Sequence, residues 1–142
     1  MQCIVASKFG KGFIANLSDI QTSQKKGKQL FNLKSGDSLN SITKKIGSHL
    51  ACVSSNQKLL IFETKDLPIL KKGGGVQLQK IKEDEFLSDI QSFNKTDGLL
   101  WKIGSQIRNE TKIDFWVGKR SQAGKKVPKR FNKNLKFYND SK

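Results

Sequence analysis

Apolar residues run through this chain in short bursts, each broken by Gly, Asn, Ser or Lys, a pattern that favours strands over helices. Cys3-Ile4-Val5-Ala6 and Gly12-Phe13-Ile14-Ala15 flank Lys8-Phe9-Gly10-Lys11 and predict a hairpin with glycine at its turn. Leu50-Ala51-Cys52-Val53 and Lys58-Leu59-Leu60-Ile61-Phe62 flank Ser54-Ser55-Asn56-Gln57 in the same way. Leu30, Phe31 and Leu33 predict a further strand, as do Val76, Leu78 and Ile81. Residues 82–97 are the acidic exception: Phe86, Ile90 and Phe93 stand near helical spacing there, which predicts a short helix or an ordered loop.

The bursts recur. A shift of 47 positions lays Phe13-Ile14 over Leu60-Ile61, Ser18-Asp19-Ile20 over Lys65-Asp66-Leu67, Lys25 over Lys72 and Gly27 over Gly74. A looser third copy has Asp114-Phe115, 48 positions after Asp66, then Gly118-Lys119-Arg120 and Gly124-Lys125-Lys126. Each copy reads as a hairpin, an Asp-apolar pair, a loop of Lys and Gly, and a strand. Periods of 40 to 50 residues with several short strands mark propeller-like arrays. The expectation is therefore an all-β domain over residues 1–142, with repeats near 1–48, 49–96 and 97–142.

Charge narrows the partner. Lys and Arg number 27 against 12 Asp and Glu, a formal net charge of +15. The excess lies in residues 1–50 and 101–142, while residues 51–100 balance. Coding bias explains 24 Lys against 3 Arg, but not the excess itself. Self-repulsion makes such a charge costly for a compact chain and points to a polyanion, nucleic acid first and an acidic membrane surface second. Cys3, Cys52 and the single His49 fall short of a structural zinc set, so the cysteines are expected to pack as small apolar groups in a reducing compartment. No signal peptide or spanning run is visible, so a soluble, intracellular chain without membrane attachment is expected.

The candidate contacts follow from the loops: Lys25, Lys26 and Lys28 in the first; Lys71 and Lys72 in the second; Lys119, Arg120, Lys125, Lys126, Lys129 and Arg130 in and after the third. Glycine lets backbone approach a ligand closely, and the flanking cations neutralise phosphates and release counterions. The bland alternative is a set of solvated turns; three loops at one point of a repeat instead place the charge along one rim. None matches the nucleotide-binding GxxxxGK[ST] pattern. Phe13, Phe31, Phe62 and Trp101 are expected in the core, and core packing is also favoured for Phe115 and Trp116. Base reading from a groove-inserted helix has no strong helix to work with, so binding should be largely independent of sequence. His49 reads as structural, Glu83-Asp84-Glu85 as a solvated run, and Tyr138 sits in a charged tail. No active site, metal or cofactor is expected in this chain.

Gly12-Phe13-Ile14-Ala15 through Asp19 and Lys26-Gly27-Lys28 resemble the C-terminal domain of the A subunit of bacterial DNA topoisomerase IV, in the gyrase A β-pinwheel family. So do Leu60-Ile61-Phe62 with Lys65-Asp66-Leu67-Pro68 and Lys71-Lys72-Gly73-Gly74-Gly75, and Gly118 through Gly124 with Pro128-Lys129-Arg130-Phe131. The resemblance covers nearly the whole chain and is weakest over 82–110. It implies a β-pinwheel whose blades exchange strands, here a partial one of about three blades. It also implies a basic rim that binds and bends duplex DNA for catalytic domains outside this chain, and a bacterial cytoplasmic, nucleoid-associated setting. The implied partners are duplex DNA, the rest of the A subunit, plus the ATPase B subunit (A2B2 in the parent enzyme), the isolated domain being monomeric. Gln24-Lys25-Lys26-Gly27-Lys28 is a degraded form of the gyrase box Gln-Arg-Arg-Gly-Gly-Arg-Gly, which points away from full wrapping and toward decatenation and relaxation. A protein-interaction module docking an acidic partner, or an RNA-binding basic domain, would share the repeat and the charge.

Overall fold

Both predicted hairpins form. The first joins β1 (Gln2–Ser7) to β2 (Lys11–Asn16), with Gly10 at φ +90°, and helix α1 (Leu17–Lys25) follows it. Next come β3 (Leu39–Lys44) and the second hairpin, β4 (His49–Ser54) and β5 (Lys58–Glu63). After these come β6 (Val76–Gln77), β7 (Leu87–Phe93), a third hairpin of β8 (Leu99–Ile103) and β9 (Gln106–Glu110), and β10 (Lys125–Lys126). The computed structural model describes residues 1–138; positions 139–142, the end of the third predicted repeat, lie outside the described residues.

Two four-stranded antiparallel sheets result, ordered β3-β1-β2-β6 and β10-β5-β4-β7, beside the β8-β9 ladder. The outermost strand of each four-stranded sheet is donated by the stretch that follows the next hairpin. Thus β6 pairs with β2 through Gly12↔Val76 and Lys11↔Gln77, and β10 pairs with β5 through Leu59↔Lys125 and Lys58↔Lys126. Alternation along β1, β2, β4 and β5 sends apolar side chains to both faces, because each sheet is covered on both sides. Ile4, Ala6 and Ile14 meet Leu50, Cys52, Leu60 and Phe62 between the first two sheets. Ala51, Val53, Leu59 and Ile61 meet Leu99, Trp101 and Ile113 between the second sheet and the third hairpin. On the free side of the first sheet, Cys3, Val5 and Phe13 are covered by Ile20 of α1 and by Phe31. Each fully buried Leu, Ile or Phe contributes about 1.5–3 kcal/mol, so the two interfaces dominate the fold.

Three local expectations are corrected. Residues 82–97 contain strand β7 and no helix; its polar side chains are buried yet bonded, Ser92 Oγ donating to Ile46 O (2.7 Å) and Ser88 Oγ to Leu135 O (2.8 Å). Leu30–Leu33 makes only an isolated bridge, Phe31 to Gly73, and the strand expected over Val76–Ile81 is confined to Val76–Gln77. Helix α1, absent from the sequence expectation, forms from a segment with only Leu17 and Ile20 as large apolar residues, aided by Asp19 in its first turn and Lys25 in its last.

Candidate nucleic-acid interface

Strand donation decides where the basic loops lie. Past β5, Ile69 runs parallel to Ile14 on the edge of the first sheet. Lys71-Lys72-Gly73-Gly74-Gly75 then swings outward, and β6 returns antiparallel against Gly12. Gly75 sits at φ +70°, where a Cβ would lie 2.5 Å from the Gly12 carbonyl oxygen. The third loop repeats this one sheet further on. Val117 bridges Ile61 in parallel, the chain loops through Lys119 and Arg120, and Gly124 at φ +88° presses on the Leu59 backbone as β10 begins. Glycine is required at both crossings because donated backbone meets a neighbour's backbone there. The first loop has no such neighbour: Gly27, at φ +65°, has nothing within 4 Å of where its Cβ would be. Lys25 is the last residue of α1 and Lys26 its C-cap, so part of the expected first loop is helical.

Backbone hydrogen bonds lace the three segments together. Gly73 N–H donates to Leu30 O (3.0 Å) and Asn32 N–H to Gly73 O (2.8 Å). One repeat later, Ser121 N–H donates to Leu78 O (2.9 Å) and Lys80 N–H to Gln122 O (3.0 Å). Buried Gln79 fastens the second crossing, its Nε2 donating to Lys58 O (3.1 Å) and Ala123 O (2.9 Å). Lys71 and Lys72 thus lie on the outer edge of the first sheet, and Lys119, Arg120, Lys125 and Lys126 on that of the second.

Lys25, Lys26, Lys28, Lys71, Lys72, Lys119, Lys125, Lys126, Lys129 and Arg130 are exposed. Arg120 is half-buried, its Nη1 donating to Gln77 O (2.8 Å), which ties the third loop to β6. The ion pairs among the described residues, Lys65–Glu63 (2.8 Å) and Lys95–Asp114 (3.0 Å), use none of these cations. The charge of the exposed ones therefore faces solvent, and in the second and third loops it follows the outer edges of the two sheets.

Further cations that no sequence motif marks lie near the loops. Lys11, Lys34, Lys80 and Lys82 line an open cleft of about 550 Å³, with Asp37 and Glu83 among its walls. These lysines are scattered in the sequence and meet only through the donated strand, so no local signal marked them. Phe115 corrects another expectation: it is 59 % exposed, with the Lys125 ammonium 4.4 Å above its ring. Trp116 is half-buried, its indole donating to Lys126 O (2.8 Å), while Phe13, Phe31, Phe62 and Trp101 lie in the core as expected. His49 is buried, hydrogen-bonded at Nδ1 to Ser48 Oγ (2.8 Å), and burial pushes its pKa down. Cys3 and Cys52 are buried free thiols with raised pKa values, chiefly from the same desolvation. Among the described residues, no group of three or more His, Cys, Asp and Glu is placed to hold a metal ion, and no helix is long and apolar enough to cross a membrane.

Known proteins share this arrangement. Residues 2–44 and 48–94 match the family described as DNA gyrase C-terminal domain, beta-propeller. The chain is 39 % identical over 134 residues to the A subunit of DNA topoisomerase 4 from Rickettsia bellii, a match covering 94 % of this chain and 18 % of that protein. It is 36 % identical over 135 residues to the corresponding protein of Caulobacter vibrioides, again covering 94 % of this chain and 18 % of that one. It therefore spans less than a fifth of the length of these relatives. Its fold is similar to that of the E. coli ParC C-terminal domain, with a TM-score of 0.70 at 17 % identity over 92 % of this chain and 57 % of that one. The DNA gyrase A C-terminal domain gives a TM-score of 0.66 at 17 % identity over 96 % and 46 %. The fold, the family match and the identity to the rickettsial and Caulobacter proteins agree: this chain belongs to the β-propeller C-terminal domains of DNA gyrase and topoisomerase IV A subunits.

Proposed function

We propose that this chain binds duplex DNA through its phosphates along the outer band, with little regard to sequence, and bends it. In this reading it is the accessory, non-catalytic part of a bacterial topoisomerase IV A subunit. It steers DNA segments in the cytoplasm toward catalytic domains that, with an ATPase B subunit, decatenate and relax DNA. The observation that carries the reading is the donated strand: in the second and third repeats it leads the Lys-Gly loop along the outer edge of the preceding sheet, where none of its lysines joins an ion pair among the described residues, and in this reading those cations form one track. Phosphates spaced along a duplex match a track of cations better than a single pocket would. Two other features support a sequence-tolerant contact. The second and third loops of the band are loops and short strands, Lys25 and Lys26 stand only at the C-terminal end of α1, and the cations are mostly lysines, point charges without the planar fork of arginine.

The test is substitution of Lys71, Lys72 and Lys119 by Gln, with affinity measured on duplexes of unrelated sequence. Each lost phosphate contact should lower affinity by a similar factor on every duplex. A loss confined to particular sequences would mean base readout and contradict the reading; an acidic protein captured after nuclease treatment, with no duplex affinity, would replace it.

A further inference from the structure

The third repeat breaks the charge pattern of the first two at one structural position. In each repeat the chain crosses from the outer edge over the hairpin turn to reach the innermost strand, which starts at Leu39 in the first and Leu87 in the second. Leu135 occupies the same place in the third: its carbonyl accepts from Ser88 Oγ (2.8 Å), and Tyr138 N–H donates to Leu100 O of β8 (3.0 Å). Two residues before these leucines stand Asp37, Glu85 and Lys133. Asp37 accepts from the Phe9 and Ser38 amides (2.9 and 2.8 Å), and Glu85 from the Lys82 amide (3.2 Å), so both carboxylates secure the crossing. In the third repeat Asn132 takes that task, accepting from Lys136 N–H (3.0 Å) and donating to Lys102 O and Lys136 O (3.0 and 2.8 Å). Lys133 is thereby left exposed, with no part in holding the crossing.

The hairpin below it changes in the same direction. In the second sheet Val53 faces Leu59 and Cys52 faces Leu60; in the third hairpin Lys102 faces Ile107 and Trp101 faces Arg108. The outcome is an open crevice of about 790 Å³ lined by Lys102, Arg108, Arg130, Lys133 and Lys136, with no carboxylate among the described residues of its wall. The corresponding cleft on the first sheet keeps Asp37 and Glu83 beside its lysines. Its walls are held: Lys136 Nζ donates to Ser88 O (2.6 Å), and Trp101 Nε1 donates to Arg130 O (2.9 Å). Five cations around one opening repel one another unless an anion with several separated charges lies among them. Arg108 and Arg130 line both this crevice and the smaller opening beside Lys129, so the crevice adjoins the last cations of the third loop.

We propose that this crevice is a second phosphate-binding site, gripping the backbone of a duplex where it leaves the outer band and turns across the hairpin end of the third repeat. The inference rests on reading the band as a duplex path. Its test is the double variant Lys102→Gln/Lys133→Asp, which restores at position 133 the acid of the first repeat; both side chains are exposed, so the thermal midpoint should match the parent. Affinity is measured on a duplex of about 10 base pairs, one turn, and on one of about 30, three turns. The expected result is a loss of about tenfold or more on the long duplex, with a salt slope shallower by about 2, and less than a twofold change on the short one. An unchanged long-duplex affinity, or equal losses on both, overturns the proposal while leaving the band intact. If Lys71, Lys72 and Lys119 variants change nothing while the double variant loses the long duplex, the band fails and the crevice stands as a phosphate site. A parent chain that binds neither duplex overturns both.

Discussion

Single residues carry the strand donation, and glycine shows it most clearly. Gly27 and Gly124 both have positive φ, but only Gly124 faces a neighbour's backbone. Gly27→Ala should cost only the left-handed conformation, about 1 kcal/mol. Gly124→Ala should cost about 2–4 kcal/mol, because Leu59 cannot move aside without disturbing its ladder. Urea unfolding of the two variants checks the contrast, and equal costs would contradict the assigned crossing. His49 sets a pH dependence. Desolvation lowers its folded pKa against the opposing pull of Glu63, so the unfolded chain takes up the proton first as pH falls. The stability it contributes is complete above its unfolded pKa of about 6.5 and declines as pH drops through that value, levelling below the folded pKa. It is the only histidine in the chain. The unfolding midpoint should fall between pH 7.5 and 5.5, and His49→Gln should flatten that change.

At the scale of elements, legibility followed locality. Both hairpins were readable because Gly10 and the Ser54–Gln57 turn punctuate apolar runs whose pairing is with the next run. β7 was not. It is the innermost strand, and Ser88, Gln91 and Ser92 face buried backbone of neighbouring repeats, Gln91 Oε1 accepting from Leu100 N–H (3.1 Å). Polar residues in the interior erase the alternation that marks a strand and leave Phe86, Ile90 and Phe93 to suggest a helix. α1 was hidden for the opposite reason: one exposed polar face and two apolar contacts give little periodicity to read. The donated strands β6 and β10 are two residues each and pair with hairpins far back in the chain, so Val76, Leu78 and Ile81 announce a longer strand than the pairing supports and β10 has no apolar run to mark it. Gln79 fastens one of them. Gln79→Ala should cost about 1–3 kcal/mol by removing the donor to the Ala123 carbonyl and the nearer of the two side-chain donors to the Lys58 carbonyl. A neutral result in denaturant unfolding would mean water replaces both bonds.

For the molecule as a whole, the charge of +15 is sorted by topology more than by sequence. The lysines of the three loops were legible from the repeat; those of the second and third loops lie at the outer edges of the first and second sheets, while Lys25 and Lys26 of the first close helix α1. Lys11, Lys34, Lys80 and Lys82, and the crevice cations Lys102, Arg108 and Lys133, were not legible, because only folding gathers them. Phe115 stands exposed under Lys125 although the run Phe-Trp-Val reads as core, because the turn Asp114–Trp116 buries neither aromatic fully. Treating the band as a duplex track makes one quantity decisive: the dependence of duplex affinity on salt. If about six cations contact phosphate, log K against log[salt] should fall with a slope of about −5, the same for unrelated sequences. A slope near zero, or one that changes with sequence, would contradict the account.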